Sequence, residues 1–152
     1  MSLKYYAVVI SNKSEYALLA LLELATCYPN GEALQIREIA VLQDIPNRYL
    51  EQLLATLRRG GLIKSIRGAK GGYVLARDPG KITVLDAFSC MEGSDIVASN
   101  PEPTPNTIEG ELIQEVWQEA RQAANSVLEK YTLQDLCDRR SMRKQKELMY
   151  YI

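Results

Sequence analysis

Residues 47–60 read NRYLEQLLATLRRG, with Leu50, Leu53, Leu54 and Leu57 at i, i+3, i+4 and i+7. That spacing gathers the leucines on one face of a helix. The opposite face carries Arg48, Glu51, Gln52, Ala55 and Arg59, and Gly60-Gly61 stops the element. Upstream, KSEYALLALLELATCY (13–28) is apolar on nearly every side, which predicts a buried helix ended by Pro29-Asn30-Gly31. Between the two, Ile36, Ile39 and Ala40 give a second, short helix, and Asp44-Ile45-Pro46-Asn47 a turn. Downstream, LIKSIRGAKGGYVLA predicts two short strands, about 62–67 and 73–76, joined by a glycine-rich turn. VLDAFSCMEG predicts a short helix ending at Gly93.

The pattern then breaks. Residues 94–107 carry Pro101, Pro103 and Pro105, which forbid helix and sheet and predict an extended loop. A long helix follows over IEGELIQEVWQEARQAANSVLEKY. Leu112, Val116, Ala120, Ala123 and Val127 form one stripe, and Ile113, Trp117, Ala124, Leu128 and Tyr131 an adjacent one. Two stripes make a face broad enough to suggest a partner subunit. The alternative is a helix sunk in its own core. Thr132 is set to cap a short last helix, and residues 141–152 read as a charged tail, partly disordered.

The 152 residues suffice for one domain with a core and an added arm. No apolar run reaches bilayer length, and the patch at residues 5–10 lacks a small-residue cleavage site and is not expected to be a signal peptide. Net charge is −1, yet residues 45–77 hold seven basic side chains (Arg48, Arg58, Arg59, Lys64, Arg67, Lys70, Arg77) against Glu51. A basic face on an otherwise acidic chain is an electrostatic footprint. Cys27, Cys90 and Cys137 are odd in number and far apart, which fits a reducing, cytoplasmic setting rather than a disulfide framework. The chain has no histidine, which removes the usual general base and the common Ser-His and Cys-His arrangements. Asp78, Asp86 and Glu92 make no recognisable carboxylate pair, so no enzyme is expected.

Helix, helix, turn, amphipathic helix and basic hairpin is the layout of a winged helix-turn-helix domain. The expected fold is mainly α with a small β-hairpin wing, extended by a long C-terminal dimerisation helix. A major groove admits one helix, whose N-terminal residues reach base edges. Asn47, Arg48, Glu51 and Gln52 are hydrogen-bonding side chains at that end. In the wing, Gly71 and Gly72 would let the backbone pass close to a duplex, while Arg67 or Lys70 contacts phosphate or enters the minor groove. A nucleotide-binding loop fails, because neither GxxxxGK[ST] nor GxGxxG is present. A winged helix can also serve as a protein-interaction module without DNA binding.

The segments YALLALLELA, IREIA, NRYLEQLLATLRRGGLI, IRGAKGGYVLA, ITVLDAF and YTLQDL resemble the Rrf-two family of bacterial transcriptional regulators, the IscR, NsrR and CymR type, over roughly residues 11–137. Tyr49-Leu50-Glu51-Gln52 and Arg67-Gly68 followed by Gly71-Gly72-Tyr73 carry the resemblance most specifically. It implies a homodimer on a partly palindromic double-stranded operator, with repression as the family default. Base reading falls to Glu51 and Gln52, and minor-groove entry to Arg67. The DNA-binding set expected from residues and resemblance together is Asn47, Arg48, Tyr49, Glu51, Gln52, Arg58, Arg59, Arg67, Lys70, Gly71 and Gly72. The expected dimer interface is Leu112, Val116, Trp117, Ala120, Ala123 and Val127.

The chain also departs from the family's pattern. Well-known members hold an iron–sulfur cluster on three cysteines in the loop before the dimer helix; here that loop, 93–107, has none. Pro46 and Arg48 stand where some members carry serines, so the operator need not match theirs. Three signals stay open: a small-molecule or protein effector with no cofactor, a 2Fe–2S cluster shared across the dimer through Cys90 of each subunit and carboxylates, or a thiol redox switch at Cys90. Against the last two, Cys90 is a small apolar residue on a helix. The expected organisation is a winged domain (1–92), a proline-containing loop at the sensor position (93–107), a dimerisation helix with a short docking helix (108–140) and a tail (141–152).

Overall fold

The computed structural model describes residues 11–93 and 106–151. The apolar patch at 5–10 and most of the proline loop, 94–105, lie outside the described residues. The elements run α1 (Asn12–Cys27), α2 (Ile36–Gln43), α3 (Asn47–Arg59), β1 (Ile63–Ile66), β2 (Gly72–Leu75), α4 (Val84–Glu92), α5 (Ile108–Lys130) and α6 (Leu133–Tyr150). Boundaries fall where the sequence has caps. Ser11, Thr83, Thr107 and Thr132 each accept a backbone N–H at a helix start, and Gly93 ends α4 in the left-handed region.

α1 is the central post. Ala17, Ala20, Leu21, Leu24 and Ala25 are buried along it, and α2, α3, α4, α6 and β2 all pack on it. α3 presents Leu50, Leu53, Leu54 and Leu57 to this core, each at most 2% exposed. The α2–α3 turn is fixed by Asp44 in the left-handed region at φ 52° and by buried Ile45. β1 and β2 form an antiparallel hairpin in the register Ile63↔Leu75 to Ile66↔Gly72.

The last two helices depart from the first six elements. α5, roughly 35 Å long at 1.5 Å per residue, packs substantially against α4 alone. Of its residues only Gly110 is buried. Among the described residues, no other part of the chain buries its apolar face.

α6 also differs from expectation. It does not stop near residue 140 but runs to Tyr150, so residues 141–150 are helix rather than an irregular tail. The physical reason is local: LQDLCDRRSMRKQKELMY contains neither Gly nor Pro and is rich in Leu, Met, Arg, Lys, Gln and Glu. Its first half docks on α1 through buried Leu133, half-buried Cys137 and the Arg140–Glu23 ion pair at 3.0 Å. Residues 141–151 are exposed. Backbone bonds from Val84 N–H to Tyr131 O (2.9 Å) and from Leu133 N–H to Ile82 O (2.9 Å) tie the start of α4 to the α5–α6 junction.

Candidate nucleic-acid interface

The hairpin is not a free flap. Leu34, just ahead of α2, exchanges two backbone hydrogen bonds with Tyr73 of β2: Leu34 N–H to Tyr73 O at 3.0 Å and Tyr73 N–H to Leu34 O at 2.8 Å. Gly72 makes this approach possible. Its φ is +150°, and a Cβ there would stand 2.4 Å from Leu34 O. A Cβ on Gly71 would stand 2.3 Å from Ile66 O, inside the turn itself. The two glycines therefore answer an internal requirement: Gly71 closes the hairpin and Gly72 docks it on the α2 segment. Gly68, at φ +113°, opens into free space.

This docking leaves an open groove of about 450 Å³ between α2, the start of α3 and the wing. Asn47, Glu51, Gly71 and Gly72 line it, so four of the residues expected from the sequence are brought together. Arg48 and Gln52 are exposed on α3 beside it, and Arg67 and Lys70 are exposed on the hairpin turn. Arg58 and Arg59 belong to the far end of α3, roughly 16 Å along the axis from Asn47. Arg59 there donates to Thr56 Oγ1 at 3.3 Å. Tyr49 is engaged with α1: its ring meets Tyr16 edge-on, centroids 5.5 Å apart at 82°. It fixes how α3 sits on the post.

Sequence reasoning missed Gln35, Arg37, Ile66 and Tyr73, which also line the groove. Arg37 lay just outside the basic window that began at residue 45. Its place at the groove depends on the Leu34–Tyr73 bridge, which no local pattern reveals.

The three cysteines are dispersed over α1, α4 and α6. Cys90 turns toward α3: its Sγ lies 3.5 Å from Thr56 O and faces Gly60. Burial pushes its thiol up, against an opposing pull from Arg59. Burial raises Cys27 and Cys137 as well. Cluster ligation needs thiolates converging on one point, and among the described residues no three Cys, His, Asp or Glu side chains are grouped to hold a metal. Within one subunit these donors do not converge to hold an iron–sulfur cluster. The two carboxylates of α4 are engaged elsewhere: Asp86 pairs with Arg77 at 3.2 Å, and Glu92 accepts from Ser11 and Ser14.

On α5, Ile113, Val116, Ala120, Ala123 and Val127 follow one another at alternating spacings of three and four. Val116 is 60% exposed and Trp117 53%. This spacing is the one that suits helix–helix pairing, with two alanines at its middle where a second helix has room to approach closely.

A family model described as Rrf2, iron-dependent transcriptional regulator, matches residues 10–139. The HTH-type transcriptional regulator CymR of Bacillus subtilis is 38% identical over 146 residues, covering 94% of this chain and 99% of its own. The structure of that protein, described as the global cysteine regulator of B. subtilis, superposes with a TM-score of 0.75 at 37% identity, covering 86% of this chain and 97% of the other. IscR of T. potens superposes at 0.70 with 32% identity, covering 86% and 87%.

Proposed function

This chain belongs to the Rrf2 family, a family of transcriptional regulators rather than enzymes, and from that premise we propose that it binds a partly palindromic operator as a homodimer and represses by occupying the promoter. The groove between the start of α3 and the wing carries the reading. In it Asn47 and Glu51 sit at the helix end that enters a major groove. Asn pairs with adenine and Glu accepts from cytosine, while Arg48 and Gln52 stand beside them. Arg67 and Lys70, exposed on the hairpin turn, reach phosphate or the adjacent minor groove. Arg58 and Arg59 serve as flanking phosphate contacts at most.

The second subunit covers α5. Leu112, Val116, Trp117, Ala120, Ala123 and Val127 form the interface, and a two-fold axis there makes the two α3 helices read related half-sites one helical turn apart. Residues 1–92 act as the reading unit, residues 93–107 occupy the sensor position, and α5 with the docked half of α6 joins the subunits. The signal is a small-molecule or protein effector, a reading supported by the dispersal of the three cysteines within each subunit. The protein works in the cytoplasm, where its DNA is, and among the described residues no helix is long and apolar enough to cross a membrane.

The test is operator binding by iron-free protein, measured by fluorescence anisotropy on a duplex from its own promoter. Affinity is expected to fall steeply as salt rises. Arg67→Ala weakens binding, and Glu51→Ala changes base preference by about 1–3 kcal/mol at the position it reads, with the dimer intact in both. Salt-independent binding, or activity that appears only with stoichiometric iron and sulfide, would overturn the proposal.

A further inference from the structure

The groove contains a cation whose role is not yet assigned. Arg37 and Glu51 are the two charged side chains that line it, one on α2 and one on α3. Arg37 is exposed and, among the described residues, takes part in no ion pair. Glu51 raises a physical problem in this position. A carboxylate directed into a nucleic-acid groove approaches two rows of phosphates, and like charges at that range repel. A nearby guanidinium removes much of that cost, and its planar fork also matches phosphate oxygens.

We propose that Arg37 is a DNA-backbone anchor: it binds phosphate across the groove from the wing and offsets the charge of Glu51, so that Glu51 can reach a base. This rests on the operator-binding reading above. The structure places Arg37 for the task by a rigid route. Leu34 is bonded at both backbone groups to Tyr73, Gly72 permits the close contact, and Arg37 follows three residues later in the first turn of α2. The wing and Arg37 therefore move as one unit on either side of the groove. Arg67 and Lys70 would hold one stretch of backbone and Arg37 another, with α3 between them.

The inference separates from a base-reading role by what it does to specificity. A phosphate contact weakens binding equally on all sequences and lowers the salt slope, whereas a base contact alters preference at one position. Wild type, Arg37→Ala, Arg37→Lys, Glu51→Ala and the Arg37→Ala/Glu51→Ala double variant are titrated onto the operator duplex and an unrelated duplex over a range of salt. Arg37→Ala is expected to lose roughly tenfold in affinity on both duplexes and to reduce the salt slope by about one per subunit. Arg37→Lys keeps most of the slope. In the Glu51→Ala background the loss from Arg37→Ala shrinks, because no carboxylate is left to offset. Circular dichroism checks that this exposed substitution leaves the fold unchanged. An Arg37→Ala protein with wild-type affinity and slope, or one whose loss is confined to a single operator position, overturns the anchor role while wild-type binding upholds the regulator reading. Wild type that binds neither duplex overturns that reading and this inference with it.

Discussion

α3 and α5 are written to the same rule and end in different surroundings. Both carry apolar residues at helical spacing with polar residues opposite. In α3 the four leucines are at most 2% exposed, because α1, α2, β1 and α4 all close on that helix. In α5, Leu112, Val116, Trp117 and Val127 remain more than half exposed, because among the described elements only α4 packs substantially on that helix. An amphipathic pattern states that a face is to be covered. It does not state whether the covering surface lies in the same chain. For α3 the chain supplies it; for α5, on the proposed function, a second copy does.

The largest expected effect tests this contrast with one chemical change made twice. Leu54→Ala removes a fully buried side chain and is expected to cost about 2–5 kcal/mol of folding stability, independent of protein concentration. Leu112→Ala acts on the exposed stripe. Its loss should appear as weaker self-association and should fade on dilution below the dimer dissociation constant. Urea unfolding at several concentrations, with sedimentation velocity on the same samples, distinguishes the two. Equal and concentration-independent losses would break the contrast and return α5 to the interior of its own chain.

A smaller effect concerns the joint between wing and helix pair. Gly72→Ala places a Cβ 2.4 Å from Leu34 O at a φ of +150°. The strain is expected to be roughly 1–3 kcal/mol, relieved by release of the hairpin rather than by unfolding of the leucine core. Hydrogen exchange should quicken at the Leu34 and Tyr73 amides and remain slow in α1 and α3. Operator affinity should fall, since Arg67 and Lys70 lose their fixed distance from α3. Uniformly faster exchange would show that the wing is part of the core rather than a joint attached to it.

What was legible in the sequence follows the same division. Local periodicity and punctuation sufficed for α1 to α4 and the hairpin, because each is bounded by its own caps, glycines and prolines. The end of α6 was misjudged, because an exposed charged helix and a disordered charged tail share a composition; the distinguishing sign was the missing Gly and Pro between residues 133 and 150. Within the groove, Asn47 and Glu51 were readable because they open the α3 pattern. Arg37 was not. Its membership depends on a backbone bridge between residues 39 positions apart, Leu34 and Tyr73, which sequence periodicity cannot express. Likewise, the two wing glycines read as openings toward DNA, while their Cβ positions are blocked from inside the protein.

The smallest effect lies where the two regions join. Glu92, the last residue of α4, accepts hydrogen bonds from Ser11 and from Ser14 (2.8 Å) at the start of α1 and lies 3.9 Å from Lys13. Burial works to raise its pKa, but the two hydroxyls and Lys13 outweigh it and hold the carboxyl below its ordinary value of 4.5. A carboxylate with a lowered folded-state pKa stabilises fully above the unfolded value, and that stability is lost as pH falls through the folded one. The difference in thermal midpoint between wild type and Glu92→Gln should therefore be constant above about pH 4.5 and shrink below it. Because Glu92 fastens α4 to α1, and α4 is the main described support of α5, the same substitution should loosen the placement of α5 more than it loosens α3. Exchange that quickens in α4 and α5 while α3 stays protected would locate the joint there; equal loosening of α3 would mean that the helix pair with its wing and the α5 arm share one cooperative core.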